Sequence, residues 1–416
     1  MQTQRLDEGL HRTVADNGVT VYSEVLSGVR SVAVGIWVKT ASVHEMRAKM
    51  GVSHLLEHMV FKGTERRSAR DIALELEVRG GSLDAFTARD HTSYQARVLD
   101  EDLPRALDVL TDLVRNPVLR SADLELERKV VLEEINTVDD TPDDLVFDAH
   151  SETLWPDHPY GFPILGTRET VAGLQSADLR ALHGRAYHPR QAVIAAAASL
   201  NHEVLLKLLA KCGWFTFAPG PDAASIPAVP PGTRTTRRIE RDTAQTHIVM
   251  GTDTFPYTDR RRYSLMLLNT VLGAGMSSRL FQRVREELGL AYTVYAFQSF
   301  YRYSGMTGVY VGTQPSTATQ AVEAISGELD RLVREGFTGN TLAEAKQQLK
   351  GQVTLSLENP AARMHRIAAL ALHDEPYRTI DQTLAEIDRV TSDEIAAVAA
   401  EFFPAGRQTV VWLGPN

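Results

Sequence analysis

Fifteen residues near the middle of the chain, Ala218 to Gly232, read APGPDAASIPAVPPG and carry five prolines. Proline has no amide hydrogen for a helix interior or a central strand, and its ring fixes φ, so this stretch joins elements without forming one. It splits the 416 residues into halves of about 200, each the size of an ordinary domain. The expected division is a first domain at 1–217, a linker at 218–232 and a second domain at 233–416.

The two halves repeat one order of elements. Before the linker, strand-like SVAVGIWVK and TSYQARVL alternate with helix-like LPRALDVLTDLV and ADLELERKVVLEEINTV. After it come HIVMGT, the helix-like RRYSLMLLNTVL and SSRLFQRVREEL, the strand pair AYTVYAFQSF and GMTGVYVGT, and the helix-like TQAVEAISGELDRLV. The segment GGSLDAFTARDHTSYQARVL of the first half lies over ELGLAYTVYAF and GMTGVYVGT of the second. The expected fold class is α+β: two homologous domains, each a mostly antiparallel sheet packed against helices, related by a degenerate duplication.

Composition narrows the functions open to such a chain. Hydrophobic residues at 43% and charged residues at 23% suit a globular protein with large cores. A formal charge of -9 argues against nucleic acid as a partner. No run approaches the ~18 apolar residues a membrane helix needs, and the N-terminal segment has no basic and apolar leader pattern, so no membrane association is expected. With Cys212 alone no intrachain disulfide can form, and a cytoplasmic location is the expectation. Gly273-Ala274-Gly275 follows a helix-like stretch and has Ser278 where a dinucleotide loop needs its third glycine, so no cofactor loop is expected there.

The segment GVSHLLEHMVFKGT holds His54, Glu57 and His58 in the order H-x-x-E-H, the inverted zinc motif. On a helix advancing ~100° per residue the two histidines lie ~40° apart, with Glu57 ~60° to the other side of His54. Two imidazoles on adjacent turns can bind one zinc, and Glu57 can reach a metal-bound water as general base without being a ligand. A catalytic zinc needs a third protein ligand. The acidic helix LELERKVVLEEINTVDD supplies candidates: Glu127 and Glu134 stand seven residues apart on nearly one face, and Glu133 points ~100° from Glu134. Periodicity does not choose among them. The second half has LMLLNTVL at the corresponding place and no such cluster.

H-x-x-E-H followed 76 residues later by a glutamate in an LEEI-type helix resembles the pitrilysin and mitochondrial processing peptidase family of inverzincins. The resemblance covers nearly the whole chain. GGSLDAFTARDHTSY is similar to the family's edge strand that pairs with substrate backbone, HPYGFPILGT to its loop after the zinc-domain helices, YHP at Tyr187 to Pro189 to its next strand entry, and SSRLFQRVREELGLAYTVYAF to its C-terminal signature. It implies Glu134 as third ligand of one Zn2+ per chain, Glu127 as an assistant in catalysis, and Arg285 and Tyr292 as substrate contacts that hold the carbonyl and stabilise the oxyanion. It further implies Phe61 and Phe86 as apolar walls and Asp84 and Ala85 as part of the substrate-binding edge.

The family usually has asparagine where this chain has Asp84; a carboxylate cannot donate as an amide does, so a preference for basic or donor-bearing substrate side chains is expected. The function so implied is zinc-dependent endopeptidase action on short or unfolded peptides inside a chamber. The chamber would be formed by a homodimer, in which Arg285 and Tyr292 serve the partner's zinc site; a heterodimer with a related subunit is the other assembly. The alternative function is a scaffold subunit of the same fold that has no need of catalysis.

Overall fold

The computed structural model describes residues 1–337 and 339–415. They fall into two compact units, each built on one sheet.

The first unit comprises Met1–Ile135, Phe162–Ile226 and Ser356–Tyr377. Its strands are β1 (Gln2–Asp7), β2 (Leu10–Val14), β3 (Thr20–Val25), β4 (Ser31–Val38), β5 (Ser82–Thr87), β6 (Thr92–Leu99) and β7 (Ala192–Ala198), in the order β1-β2-β3-β7-β4-β6-β5. Only β3 and β7 run parallel. The central strands are apolar at nearly every position because both faces are covered. Val32, Val34, Ile36 and Val38 of β4 join the main core, while Ala33 and Trp37 face a second one. On β7, Ala192, Ile194, Ala196 and Ala198 take the first face and Val193, Ala195 and Ala197 the second. The main core holds α1 (Val52–Val60), α2 (Ala69–Glu77), α3 (Leu103–Arg115) and most of α4 (Ser121–Asp139).

The second unit comprises Asn136–Gly161, Pro227–Leu355 and the described chain from Arg378. It contains β8 (Thr236–Glu240), β9 (Thr246–Thr254), β10 (Ala291–Phe300), β11 (Gly305–Thr313) and β12 (Thr409–Gly414), in the order β10-β11-β9-β12-β8. Strand by strand, β3, β7, β4, β6 and β5 correspond to β8, β12, β9, β11 and β10. In both sheets the first pair is parallel and the other three are antiparallel. The expected α+β class and its duplication are met at the level of topology. The segment Phe281–Glu287, expected to be helical, is helical with the wider i to i+5 turn.

The units do not follow the expected division at 217 and 233 throughout. Val146 and Ala149 of α5 (Pro142–Leu154), a first-half helix, pack with Val249, Tyr310, Val411 and Leu413 of the second sheet. In turn Met364, Ile367, Ala368, Ala371 and Leu372 of the helix Pro360–Leu372 pack with Leu10, Tyr22, Ala33 and Trp37 of the first. Each sheet takes the helix on its second face from the other half of the sequence. The reason is energetic: an apolar sheet face left in water costs roughly 25 cal/mol per Å², and either amphipathic helix can cover it.

Candidate metal centre

α1 starts at Gly51, whose φ of 85° is left-handed and suits glycine. Leu55, Leu56, Met59 and Val60 are fully buried, which presses one side of the helix into the core and leaves His54 and His58 partly open on another. α4 buries Leu124, Glu127, Val131 and Ile135. That spacing of three, four and four residues is one helical stripe, and Glu127 is the charge within it. Glu134 sits beside the stripe with its side chain 39% exposed, and Glu133 is exposed.

His54, His58 and Glu134 form one donor group, their ligand atoms all within 4.8 Å of one another. His54 Nε2 lies 3.7 Å from one carboxylate oxygen of Glu134, and His58 Nε2 lies 3.5 Å from the other. These separations are long for hydrogen bonds. Donors held at 2.0–2.1 Å around a tetrahedral zinc stand about 3.3–3.4 Å apart, so the three fit such an ion with small adjustment. Burial, with His58 adding to it, pushes the His54 imidazolium down to a pKa of about 3. The ring is therefore neutral at neutral pH, as a ligand must be.

Behind this group, His58 Nδ1 is 3.1 Å from Glu127 Oε2, and Lys62 Nζ is 2.6 Å from Glu127 Oε1. A carboxylate at Nδ1 places the ring proton there and leaves the Nε2 lone pair toward Glu134. Glu127, expected to assist catalysis, thus lies against the Nδ1 side of the His58 ring. His54 has no such support, because its Nδ1 is buried with no hydrogen-bond partner.

Glu57 is buried, and burial raises its carboxyl above the usual range against the pull of a hydrogen bond from Thr87. Thr87 Oγ1 donates to Oε2 at 2.5 Å, and among the described residues Oε1 has no hydrogen-bond partner. Thr87 belongs to β5, which is the edge of its sheet, as expected for GGSLDAFTARDHTSY. Along β5 side chains alternate. Leu83 and Ala85 turn to the main core and Thr87 to Glu57, while Phe86 turns the other way, toward the rings of His91 at 5.8 Å and His365 at 6.1 Å. Phe61 packs against the main core near Tyr94. Phe61 thus lies on the main-core side and Phe86 on the opposite side of β5, and the period of two also puts Asp84 on the side of Phe86.

Arg285 and Tyr292 belong to the second unit, where the structure brings them together. The guanidinium lies 4.4 Å from the Tyr292 ring centroid and donates to the Tyr292 carbonyl at 3.2 Å. The Tyr292 side chain is exposed. Among the described residues this unit has no group of three metal-donor side chains. Thr87, Lys62 and Glu45 belong to no metal-ligand motif of the sequence. Thr87 had the one usable signal, since it shares strand parity with Ala85.

Residues 20–168 match the family described as Insulinase (Peptidase family M16), and residues 173–349 match the one described as Peptidase M16 inactive domain. A Streptomyces coelicolor protein named as an uncharacterized zinc protease is 38% identical over 427 residues, covering 100% of this chain and 93% of its own. A Bacillus subtilis protein named in the same way is 38% identical over 394 residues, covering 95% and 96%. Among solved structures, a Pseudomonas fluorescens protein described as a peptidase M16 inactive domain has a TM-score of 0.91 at 20% identity, covering 98% of each chain. A Helicobacter pylori protease has a TM-score of 0.90 at 21% identity, covering 98% of this chain and 99% of its own. Two clustered histidines, a facing glutamate, a sheet topology repeated twice and full-length relatives named as zinc proteases lead to one conclusion: the chain belongs to the M16, insulinase-type peptidase family.

Proposed function

We propose that the chain is a zinc-dependent endopeptidase acting on short or unfolded polypeptides. The observation that carries this reading is the three-donor group of His54, His58 and Glu134 with Glu57 next to it in sequence and one oxygen of Glu57 unpaired. These three residues would hold one zinc ion, which when bound supplies Lewis-acid polarisation of a carbonyl and activation of water. Glu57 takes a proton on Oε1, since Thr87 occupies Oε2, and hands it to the leaving amine nitrogen. Burial raises its carboxyl pKa, which makes it a stronger base than an exposed glutamate. Glu127 acts as a positioning residue that fixes His58. The free edge of β5 pairs with an extended peptide backbone, which admits many sequences.

The finer parts of the reading are a homodimer that encloses its substrate, Arg285 and Tyr292 as holders of the substrate carbonyl at the partner's zinc site, and a cytoplasmic location suited to a single cysteine. Asp84 would favour basic residues in the bound peptide.

The test is metal analysis beside hydrolysis of a quenched-fluorescent unfolded peptide, before and after chelation. One zinc per chain is expected, with cleavage lost to the chelator and restored by zinc. Zinc-free protein, or cleavage indifferent to the chelator, would overturn the proposal; zinc bound without cleavage would favour a scaffold role.

A further inference from the structure

The helix that carries both histidines begins without a side-chain cap of its own. Its N-cap is Gly51, and a Cβ there would come within 2.4 Å of the Leu165 carbonyl oxygen. Gly166, also left-handed at φ 79°, would meet the Met50 carbonyl oxygen at 2.5 Å. This close backbone crossing excludes the serine, threonine or asparagine that usually satisfies the first turn.

The cap comes from outside the helix. Glu45 accepts from the Gly51 amide through Oε2 at 2.8 Å and from the Ser53 amide through Oε1 at 2.7 Å. The side chain is buried, and no cation among the described residues pairs with it. Burial pushes its carboxyl up to about 7 even though both amides favour the ionised form. A buried carboxylate without a cation is an expensive way to cap a helix when stability is the only aim. His54 follows Ser53 directly and lies in that first turn. Its own ring gets no support at Nδ1, whereas His58 has Glu127.

We propose that Glu45 is the positioning residue of His54: by clamping the amides of Gly51 and Ser53 it sets the direction in which His54 Nε2 points, as Glu127 sets that of His58. The inference rests on His54, His58 and Glu134 being metal ligands. A metal-free scaffold would have no use for a buried charged clamp here; the corresponding helix of the second unit, Arg262–Gly273, has its N-cap amide, Arg261, bound by Asp259, a partly exposed carboxylate that is neutralised by the Arg261 guanidinium.

The test is a zinc titration of wild type, Glu45→Gln and Glu45→Asp, with thermal melting of each metal-free protein at pH 8 and the visible spectrum of each cobalt-loaded one. In Glu45→Gln the amide nitrogen opposes one backbone N–H, and in Glu45→Asp the reach is one methylene short. Both should bind zinc about 10- to 100-fold more weakly, the size of effect seen when an outer partner of a ligand is lost. The cobalt bands should shift in both. Metal-free Glu45→Gln should melt at or above wild type, because a buried charge has gone. Unchanged zinc affinity and cobalt bands in Glu45→Gln would overturn the inference, and so would a parallel loss of affinity and melting temperature, which marks an ordinary structural residue. Wild type that binds no zinc would sink the metal reading itself, and that shows before any variant is made.

Discussion

α1 of the first unit and the helix Arg262–Gly273 of the second each follow the corresponding strand, β4 and β9, of two sheets that share a five-strand order, yet they are finished in opposite ways. α1 carries His54, Glu57 and His58, and around it lie the buried carboxylates of Glu45, Glu57 and Glu127. The helix Arg262–Gly273 buries Leu265, Leu267, Leu268 and Leu272, and its polar residue Asn269 is tied down, with Nδ2 at 2.5 Å from Gln298 Oε1 and 2.9 Å from Thr307 Oγ1. Both helices send a polar side chain toward the strands beside them, Glu57 to Thr87 and Asn269 to Gln298 and Thr307. One leaves an oxygen unpaired and the other is satisfied. The fold therefore does not need the acidic cluster. The first unit carries it at a cost in desolvated charge, the pattern of a site kept for chemistry.

This contrast predicts unequal acid sensitivity, the largest effect expected. Burial lowers His54 to about 3 and His91, His183 and His202 to about 4 in the first unit, against His150 at about 4 in the second, where His158 and His247 are also lowered. A folded pKa below the unfolded 6.5 means the unfolded chain takes the proton first. Stability is then full above pH 6.5 and falls as pH drops toward 4, by up to roughly 1.4 kcal/mol per pH unit for each histidine. Glu45 has the opposite sign: raised from 4.5 to about 7, it favours the folded state as pH falls through that window, and it offsets one histidine. Amide exchange of metal-free protein at pH 7 and pH 5 should show β4 and β7 losing more protection than β9 and β12. Equal losses would mean that the charge asymmetry has no thermodynamic weight.

The exchanged helices give the next test. Ile367→Ala should cost about 2–5 kcal/mol. Residue 367 lies in the second half of the sequence, but the lost protection should appear on β3, β4 and β7 of the first sheet. Loss centred on β9 and β12 would refute the exchange. A smaller effect separates the two histidines: Glu127→Gln should weaken zinc binding about 10- to 100-fold with the melting of the metal-free protein little changed. Unaltered affinity would remove Glu127 from the support of His58.

Much of this was legible in the sequence because it is local or periodic. H-x-x-E-H on a helix fixes its own geometry, and the repeated order of strands and helices foretold the paired sheets. The third donor of the group was only half legible: helical periodicity left Glu127, Glu133 and Glu134 open, and packing separates them by sinking Glu127 behind His58 and leaving Glu134 in front. The rest depends on contacts distant in sequence. An apolar stripe shows that α5 and Pro360–Leu372 are amphipathic, not which sheet they cover. Glu45 lies six residues ahead of Gly51 with no spacing rule to mark it, and only the placement of β5 shows that Phe86 turns to His91 and His365, on the side opposite Leu83 and Ala85.

Glu57→Gln asks whether Glu57 is the base at a metal site, with bound zinc and cleavage of an unfolded peptide measured on the same sample. The variant should keep its zinc and lose about 10²- to 10⁴-fold in kcat, the usual worth of a general base. Zinc retained with cleavage near the wild-type rate would rule Glu57 out as the base.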